Sequence, residues 1–227
     1  MSDIYHILNR GVDKRKMFLD KQDYFRFIHN LFELNNQDIV YYTFYDFQRF
    51  DKNKDIECPY IKKKPRKLLV DIYAFCLMPN HYHLLLSPKI EKGIPKFMQK
   101  LNMGYSKYFN QKYGRKGTLF EGRYKSILIK EEAHFYHLPY YIHFNPLDIE
   151  FSGWRERKLK DYNKALEFLN NYRWSSHLDY LGKKNFPSVT SREFLLTVFG
   201  GEEKYKDSIS GWLKEMTIDG IKELILE

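Results

Sequence analysis

AFCLMPNHYHLLLS (residues 74–87) brings two apolar runs together across a two-residue turn, and its reading decides how the chain folds. Upstream, the first run extends back to Leu68 as LLVDIYAFCLM, a near-continuous apolar stretch of strand type. HYHLLLS, residues 81–87, is the second, and Pro79-Asn80 between them is turn chemistry. Two strands so joined predict an antiparallel hairpin at the centre of a sheet. Successive strand side chains leave opposite faces, so His81 and His83 share one face and Tyr82 takes the other. That spacing suits two imidazoles on one metal ion. Alone, however, H-x-H is a weak signal, and a packed structural pair is its default reading.

Working outward, DIYHILNRG (3–11) reads as a strand ending at Gly11. From Asp20, a plausible N-cap, Tyr24, Phe27, Ile28, Leu31 and Phe32 recur at helical spacing. Residues 93–114 place Ile94, Phe97, Met98, Leu101, Tyr105, Tyr108 and Phe109 on one helical stripe, with Gly114 positioned to end it. GTLFEGRYKSILI (117–129) follows as a strand region rich in turn glycines, and residues 130–146 as a helix that opens on Glu131 and Glu132. The order β, α, ββ, α, β, α predicts an α+β fold: one antiparallel sheet with covering helices. Residues 38–67 read as an insertion ending in KKKPRK (62–67), a solvated connector rather than a DNA-gripping arm. The expected division is 1–150 as the main domain and 151–227 as a helical C-terminal extension, in which residues 161–172, 191–200 and 204–216 are helical segments.

Composition narrows the partners. The 227 residues carry a formal charge of +9, which favours a polyanion, nucleic acid being the usual one. Nineteen tyrosines interleaved with lysines add surface on which single-stranded nucleic acid stacks, although most tyrosines belong in a core. No apolar run of about 18 residues exists to span a membrane, and MSDIYHILNRG lacks a secretory h-region. Cys58 and Cys76 form no disulfide framework or zinc pattern, so a cytoplasmic protein with reduced thiols is expected.

A second constellation lies in PYYIHFNP, residues 139–146. Tyr141 and Asn145 are four residues apart and share a helix face. Tyr141 offers a hydroxyl nucleophile, and Asn145 offers an amide oxygen to a hard cation. Two strand histidines and that amide would leave positions open on magnesium or manganese for phosphate oxygens. An unassisted tyrosine, with a pKa near ~10, is a poor nucleophile. The bland alternative is that Tyr140 and Tyr141 are two core tyrosines among many.

YHILNRG, AFCLMPNHYHLLL, KYGRKGTLFEGRYKSILI and YIHFNP occur in this order over residues 3–150. Together they resemble the single-tyrosine HUH transposases of bacterial insertion sequences, especially relatives associated with repetitive extragenic palindromes (REP). RWSSHLDYLG (173–182) adds a weaker likeness. The resemblance implies a ferredoxin-like α+β core and an enzyme that cleaves and rejoins single-stranded DNA at hairpin-flanked sites, with a divalent metal, Mg or Mn, and no ATP. It implies His81, His83 and Asn145 as metal ligands, and Tyr141 as the nucleophile that forms a 5′-phosphotyrosyl link. Family members act as dimers or alone, so a homodimer is compatible, and no membrane partner is implied.

Three departures accompany the likeness. Tyr82 replaces a bulky apolar residue and needs a partner for its hydroxyl; Pro139 sits two residues before Tyr141, where it should kink or start the helix; and the 38–67 insertion exceeds a minimal core. Tyr140 competes with Tyr141 for the nucleophile's role, and only Tyr141 has the four-residue step to Asn145. His143, on another face, reads as packing or as support for the site. Arg10, Arg115, Lys116, Arg123 and Lys125 are the candidate phosphate contacts. Two rival functions share these residues: a hairpin DNA- or RNA-binding protein that does not cut, and a metal-dependent hydrolase using His81 and His83 with water.

Overall fold

A computed structural model describes residues 3–38, 65–151 and 153–215. Most of the expected insertion (39–64, with Cys58) and the last residue of the expected 204–216 helix, Met216, lie outside that description. The sheet is built from β1 (Ile4–Arg10), β2 (Val70–Met78), β3 (His81–Pro88) and β4 (Lys125–Ile129), in the order β2-β3-β1-β4 with every pair antiparallel. With α1 (Lys21–Glu33) after β1 and α2 (Gly93–Lys112) after β3, this is the ferredoxin-like α+β arrangement. Met78 pairs directly with His81, so Pro79-Asn80 is the whole of the hairpin loop.

Local chemistry sets the ends of these elements. The Asp20 side chain accepts from the Asp23 amide, and Asp23 returns the bond to the Asp20 amide, forming a capping box at the start of α1. At the end of α2, Gly114 takes φ +60°, a conformation that glycine adopts without steric cost. The glycine-rich stretch 117–129 is shorter as a strand than its sequence suggests. Only Lys125–Ile129 pairs along β1, while residues 117–124 form a loop touching the sheet at the Gly11–Phe120 bridge.

Two cores lie on opposite faces of the sheet. Ile7, Phe75, Tyr82, Leu84 and Leu86 face α1 and α2, meeting Phe27, Leu31, Phe97, Met98 and Leu101. Tyr82 is fully buried there, and its hydroxyl donates to Asn102 Oδ1 at 2.6 Å. That bond satisfies the polar tip, and burial pushes the phenol pKa well up. The opposite face carries Ile4, Ala74, Cys76, Met78 and Leu85 against α3 (Glu132–Phe144). α3 runs through Pro139 rather than starting at it. α4 (Tyr162–Asn171), the single turn α5 (His177–Tyr180), α6 (Arg192–Phe199) and α7 (Glu202–Glu215) complete this second core through Ala165, Leu169, Tyr180, Leu195, Tyr205, Ile209 and Leu213.

The segment after α4 also closes the open edge of β2. Leu77 donates to the Trp174 carbonyl (2.9 Å), Ser176 to that of Phe75 (3.0 Å), and the Phe75 amide to Ser176 Oγ (2.9 Å). Covering an edge in this way removes a template for unwanted strand pairing.

A buried polar chain ties α3 to these later helices. The Tyr205 hydroxyl lies 2.7 Å from His143 Nδ1 and 3.0 Å from His177 Nδ1, and His143 Nε2 lies 2.8 Å from Ser176 Oγ. Burial holds both imidazoles neutral, pushing His143 well below its usual value and His177 down to about 3. Unfolded, His177 takes up a proton near pH 6.5; folded, it takes none until about pH 3. Stability therefore falls as pH drops from 6.5 towards 3, by up to ~1.4 kcal/mol per pH unit for each such histidine. Urea titrations between pH 7 and 4.5 should show this slope, and His177→Gln should reduce it by up to ~1.4 kcal/mol per unit whatever its effect on stability at pH 7.

Candidate active site

β1 and β3 share one register, Leu8 opposite His83 and Arg10 opposite His81. Directly paired residues project to the same face, so the two histidines emerge towards α3 beside Arg10 and Leu8. The His81 and His83 rings meet edge to face at 4.9 Å. Each has a neighbour at Nδ1: Asn80 Oδ1 lies 2.7 Å from that of His81, and His6 Nε2 lies 2.9 Å from that of His83. His6 is buried and stacked on His83 with centroids 5.2 Å apart.

From the facing helix, Tyr141 points at His83 and His6. Its ring lies 6.0 Å from His83 and 6.4 Å from His6, edge to face with both, and its side chain is wholly buried. Tyr140 turns the other way. Its ring stacks on Tyr205 and Trp212, its hydroxyl lies 2.8 Å from Ser208 Oγ, and burial raises its pKa. Two adjacent tyrosines thus take opposite environments because a helix turns about 100° per residue.

Asn145 is the C-cap of α3, one turn beyond Tyr141. Its Nδ2 donates to the Tyr141 carbonyl at 2.8 Å, which fixes the amide and leaves Oδ1 directed elsewhere. Oδ1 accepts from Arg155 Nη2 at 3.1 Å, and Arg155 Nη1 donates to the Tyr141 hydroxyl at 2.9 Å. Arg155 in turn is anchored on Asp148, through Nε at 3.0 Å and Nη2 at 2.5 Å, beside Trp154 Nε1 at 2.6 Å from the same carboxylate. His143 belongs to the buried chain described above.

His6 and Arg155 were not among the residues singled out from sequence. His6 carried one available signal, since in IYHILNR (4–10) it shares one strand face with Ile4 and Leu8. Arg155 carried none, lying beyond the helix in a 3-10 turn, Trp154–Glu156.

Among the described residues, no cluster of three His, Cys, Asp or Glu side chains has metal-binding geometry. The candidate donors are of a different kind: two imidazoles and one amide oxygen. They fit a divalent cation in one testable respect. Asn80 Oδ1 is an acceptor, so His81 Nδ1 carries the proton and Nε2 would be the nitrogen to ligate; at His83, Nε2 would ligate where Nδ1 donates to His6 Nε2.

The basic candidates separate into two groups. Arg10, Arg123 and Lys125 line one cavity of about 190 Å³ with Leu8, Asn9, Glu121 and Gly122. Arg115 and Lys116 lie in the turn after α2 and do not line it; the Arg115 guanidinium sits over the Phe109 ring at 5.6 Å.

Residues 32–145, half of the chain, match the family described as "Transposase IS200 like", and the chain belongs to that family. A solved structure of a REP-associated tyrosine transposase bound to a REP hairpin is similar with a TM-score of 0.45 and 12% identity, over 85% of this chain and 88% of that one. No curated protein matches. Among the described residues, no helix is long and apolar enough to cross a membrane.

His6→Ala should remove the restraint on the His83 ring while leaving the three candidate donors in place. Loss of such a supporting bond typically weakens a metal site by about 10–100-fold. Manganese binding followed by electron paramagnetic resonance should show a drop of that order, and affinity unchanged from wild type would rule out the supporting role.

Proposed function

We propose that the chain is a metal-dependent single-stranded DNA endonuclease and strand transferase that acts through a 5′-phosphotyrosine on Tyr141 at hairpin-flanked sites. One observation carries the reading: the Tyr141 ring lies edge to face with His83, 6.0 Å away across the helix–sheet interface, with the Asn145 amide one turn further along the helix. Family membership and the charge of +9 support a DNA substrate.

In this reading His81, His83 and Asn145 hold magnesium or manganese, which when bound polarises the scissile phosphate. The Tyr141 oxygen attacks phosphorus and the P–O3′ bond breaks. Net, one proton passes from the phenol to the departing 3′ oxygen, leaving a 5′-phosphotyrosine and a free 3′-hydroxyl. Attack by a 3′-hydroxyl on that phosphotyrosine reverses the balance and rejoins DNA. The covalent link stores the bond energy, so no ATP is needed. Asn145 supports the step through the backbone, because its amide bond to the Tyr141 carbonyl couples nucleophile and ligand within one helical turn. Tyr140, packed against α7, has no part in it. Arg10, Arg123 and Lys125 are the phosphate contacts that the shared cavity favours, positioning the strand without reading its sequence.

Covalent trapping tests the chemistry. Single-stranded oligonucleotides tiling both flanks of the gene, incubated with protein and manganese, should yield an adduct that survives denaturing electrophoresis. Chelation and Tyr141→Phe should each abolish it, and Tyr140→Phe should retain it. An adduct that persists in Tyr141→Phe would transfer the nucleophile elsewhere, and metal-dependent cleavage without any adduct would support hydrolysis by water instead.

Phosphate contact has its own signature. Each lysine or arginine that neutralises a single-strand phosphate adds about 0.7 to the slope of log affinity against log salt. Arg10→Gln and Arg123→Gln should each lower that slope by ~0.7 and weaken binding to all sequences alike. A slope unchanged in both variants would remove this cavity from the DNA path.

A further inference from the structure

We infer that Arg155 is the residue that positions Tyr141 and then receives the scissile phosphate. The inference rests on the reading of Tyr141 as nucleophile and extends it to a residue outside the histidine and tyrosine motifs. The guanidinium presents two edges. The Nε/Nη2 edge is spent on Asp148, which fixes the group and balances its charge. The Nη1/Nη2 edge reaches the Tyr141 hydroxyl at 2.9 Å and Asn145 Oδ1 at 3.1 Å, the two atoms that the proposed chemistry uses. The same cation lies 5.2 Å from the Tyr141 ring centroid and 5.1 Å from that of Trp154, so ring and hydroxyl are held together.

Anchoring on Asp148 alone would account for a surface arginine. A second, bidentate edge aimed at both reactive atoms is not needed for that. It also has a consequence during reaction. Once the Tyr141 oxygen bonds phosphorus and Asn145 Oδ1 turns to another partner, that edge loses its acceptors. Its side chain is 18% exposed, so water replaces those two acceptors only in part, and a part-buried donor that loses its acceptor is destabilised. The non-bridging oxygens of the phosphate now on Tyr141 arrive at that place, and a guanidinium fork matches them in pairs. Arg155 therefore exchanges a phenol and an amide for a phosphate, staying fixed by Asp148 throughout.

Two readouts test this on the full chain. The first is the rate of adduct formation on the tiled flank oligonucleotides for Arg155→Lys and Arg155→Ala, with oligonucleotide affinity measured alongside. Both variants should trap about 10²-fold more slowly, because lysine keeps the charge without the fork, while affinity changes only severalfold. Millimolar guanidinium chloride should restore part of the rate in Arg155→Ala, which a merely structural arginine would not allow. The second is ¹⁹F NMR of protein labelled with 3-fluorotyrosine, with the Tyr141 resonance assigned by its loss in Tyr141→Phe. That resonance should shift in Arg155→Ala in the absence of DNA. Trapping at the wild-type rate in Arg155→Ala, or an unmoved Tyr141 resonance, would overturn the inference. If wild-type protein never forms an adduct yet the resonance shifts, the strand-transfer reading fails and the hold of Arg155 on Tyr141 stands.

Discussion

A strand paired on both sides has only two directions left for its side chains. β3 lies between β2 and β1, its backbone taken up by both ladders, so each residue goes wholly into one core or the other. Tyr82, Leu84 and Leu86 fill the layer under α1 and α2, while His81, His83 and Leu85 share the face that α3 covers, where His83 meets Tyr141. A slip of one residue would drive two imidazoles into a packed aliphatic layer and leave Tyr82 without Asn102. The hydroxyl that looked anomalous in the sequence thus helps to specify the face on which the histidines stand. The same register makes the site a property of the sheet, since it sets Arg10 beside His81 and places His6 against His83.

The tyrosine helix is held by an equally constrained arrangement on its far side. α3 lies between the sheet and the C-terminal helices, with Tyr140 stacked on Tyr205 and Trp212 while Tyr141 faces the histidines. His143 extends the contact into a polar chain through Tyr205 and Ser176. Ser176 serves twice, because its hydroxyl also accepts from the Phe75 amide on the edge of β2. One side chain therefore joins the sheet edge, the helix that carries the tyrosine and the segment that follows α4. Burial of both histidines in neutral form keeps this chain free of charge, which a buried network tolerates only when its members are hydrogen-bonded.

How much of this is legible in the sequence depends on the range of the interaction. The hairpin, the Asp20 cap, the Gly114 terminus and the alternation of His81, Tyr82 and His83 are set by neighbours within a few residues, and they read correctly. The four-residue step from Tyr141 to Asn145 is likewise local, and a helix delivers it. His6 was missed because its meeting with His83 joins strands 77 residues apart, and only the register between β1 and β3 brings it about. The cover that residues 174–176 give to β2 depends on a chain segment about a hundred residues away. β4 was read too long because Gly117 and Gly122 sit among strand-forming residues, and where pairing begins is decided by β1.

Arg155 shows a different limit. Nothing in WRERK distinguishes it from Arg157 or Lys158 by type or pattern, yet the fold gives these neighbours different surroundings. A turn with Gly153 at φ +95° and Arg157 at φ +58° swings Trp154 and Arg155 back onto Asp148, itself three residues beyond Asn145. The carboxylate is what converts a flexible surface cation into a fixed donor, because a paired guanidinium loses little further freedom when it meets another acceptor. Asp148, a residue without chemistry of its own in the proposed reaction, therefore decides which of several basic side chains reaches the tyrosine.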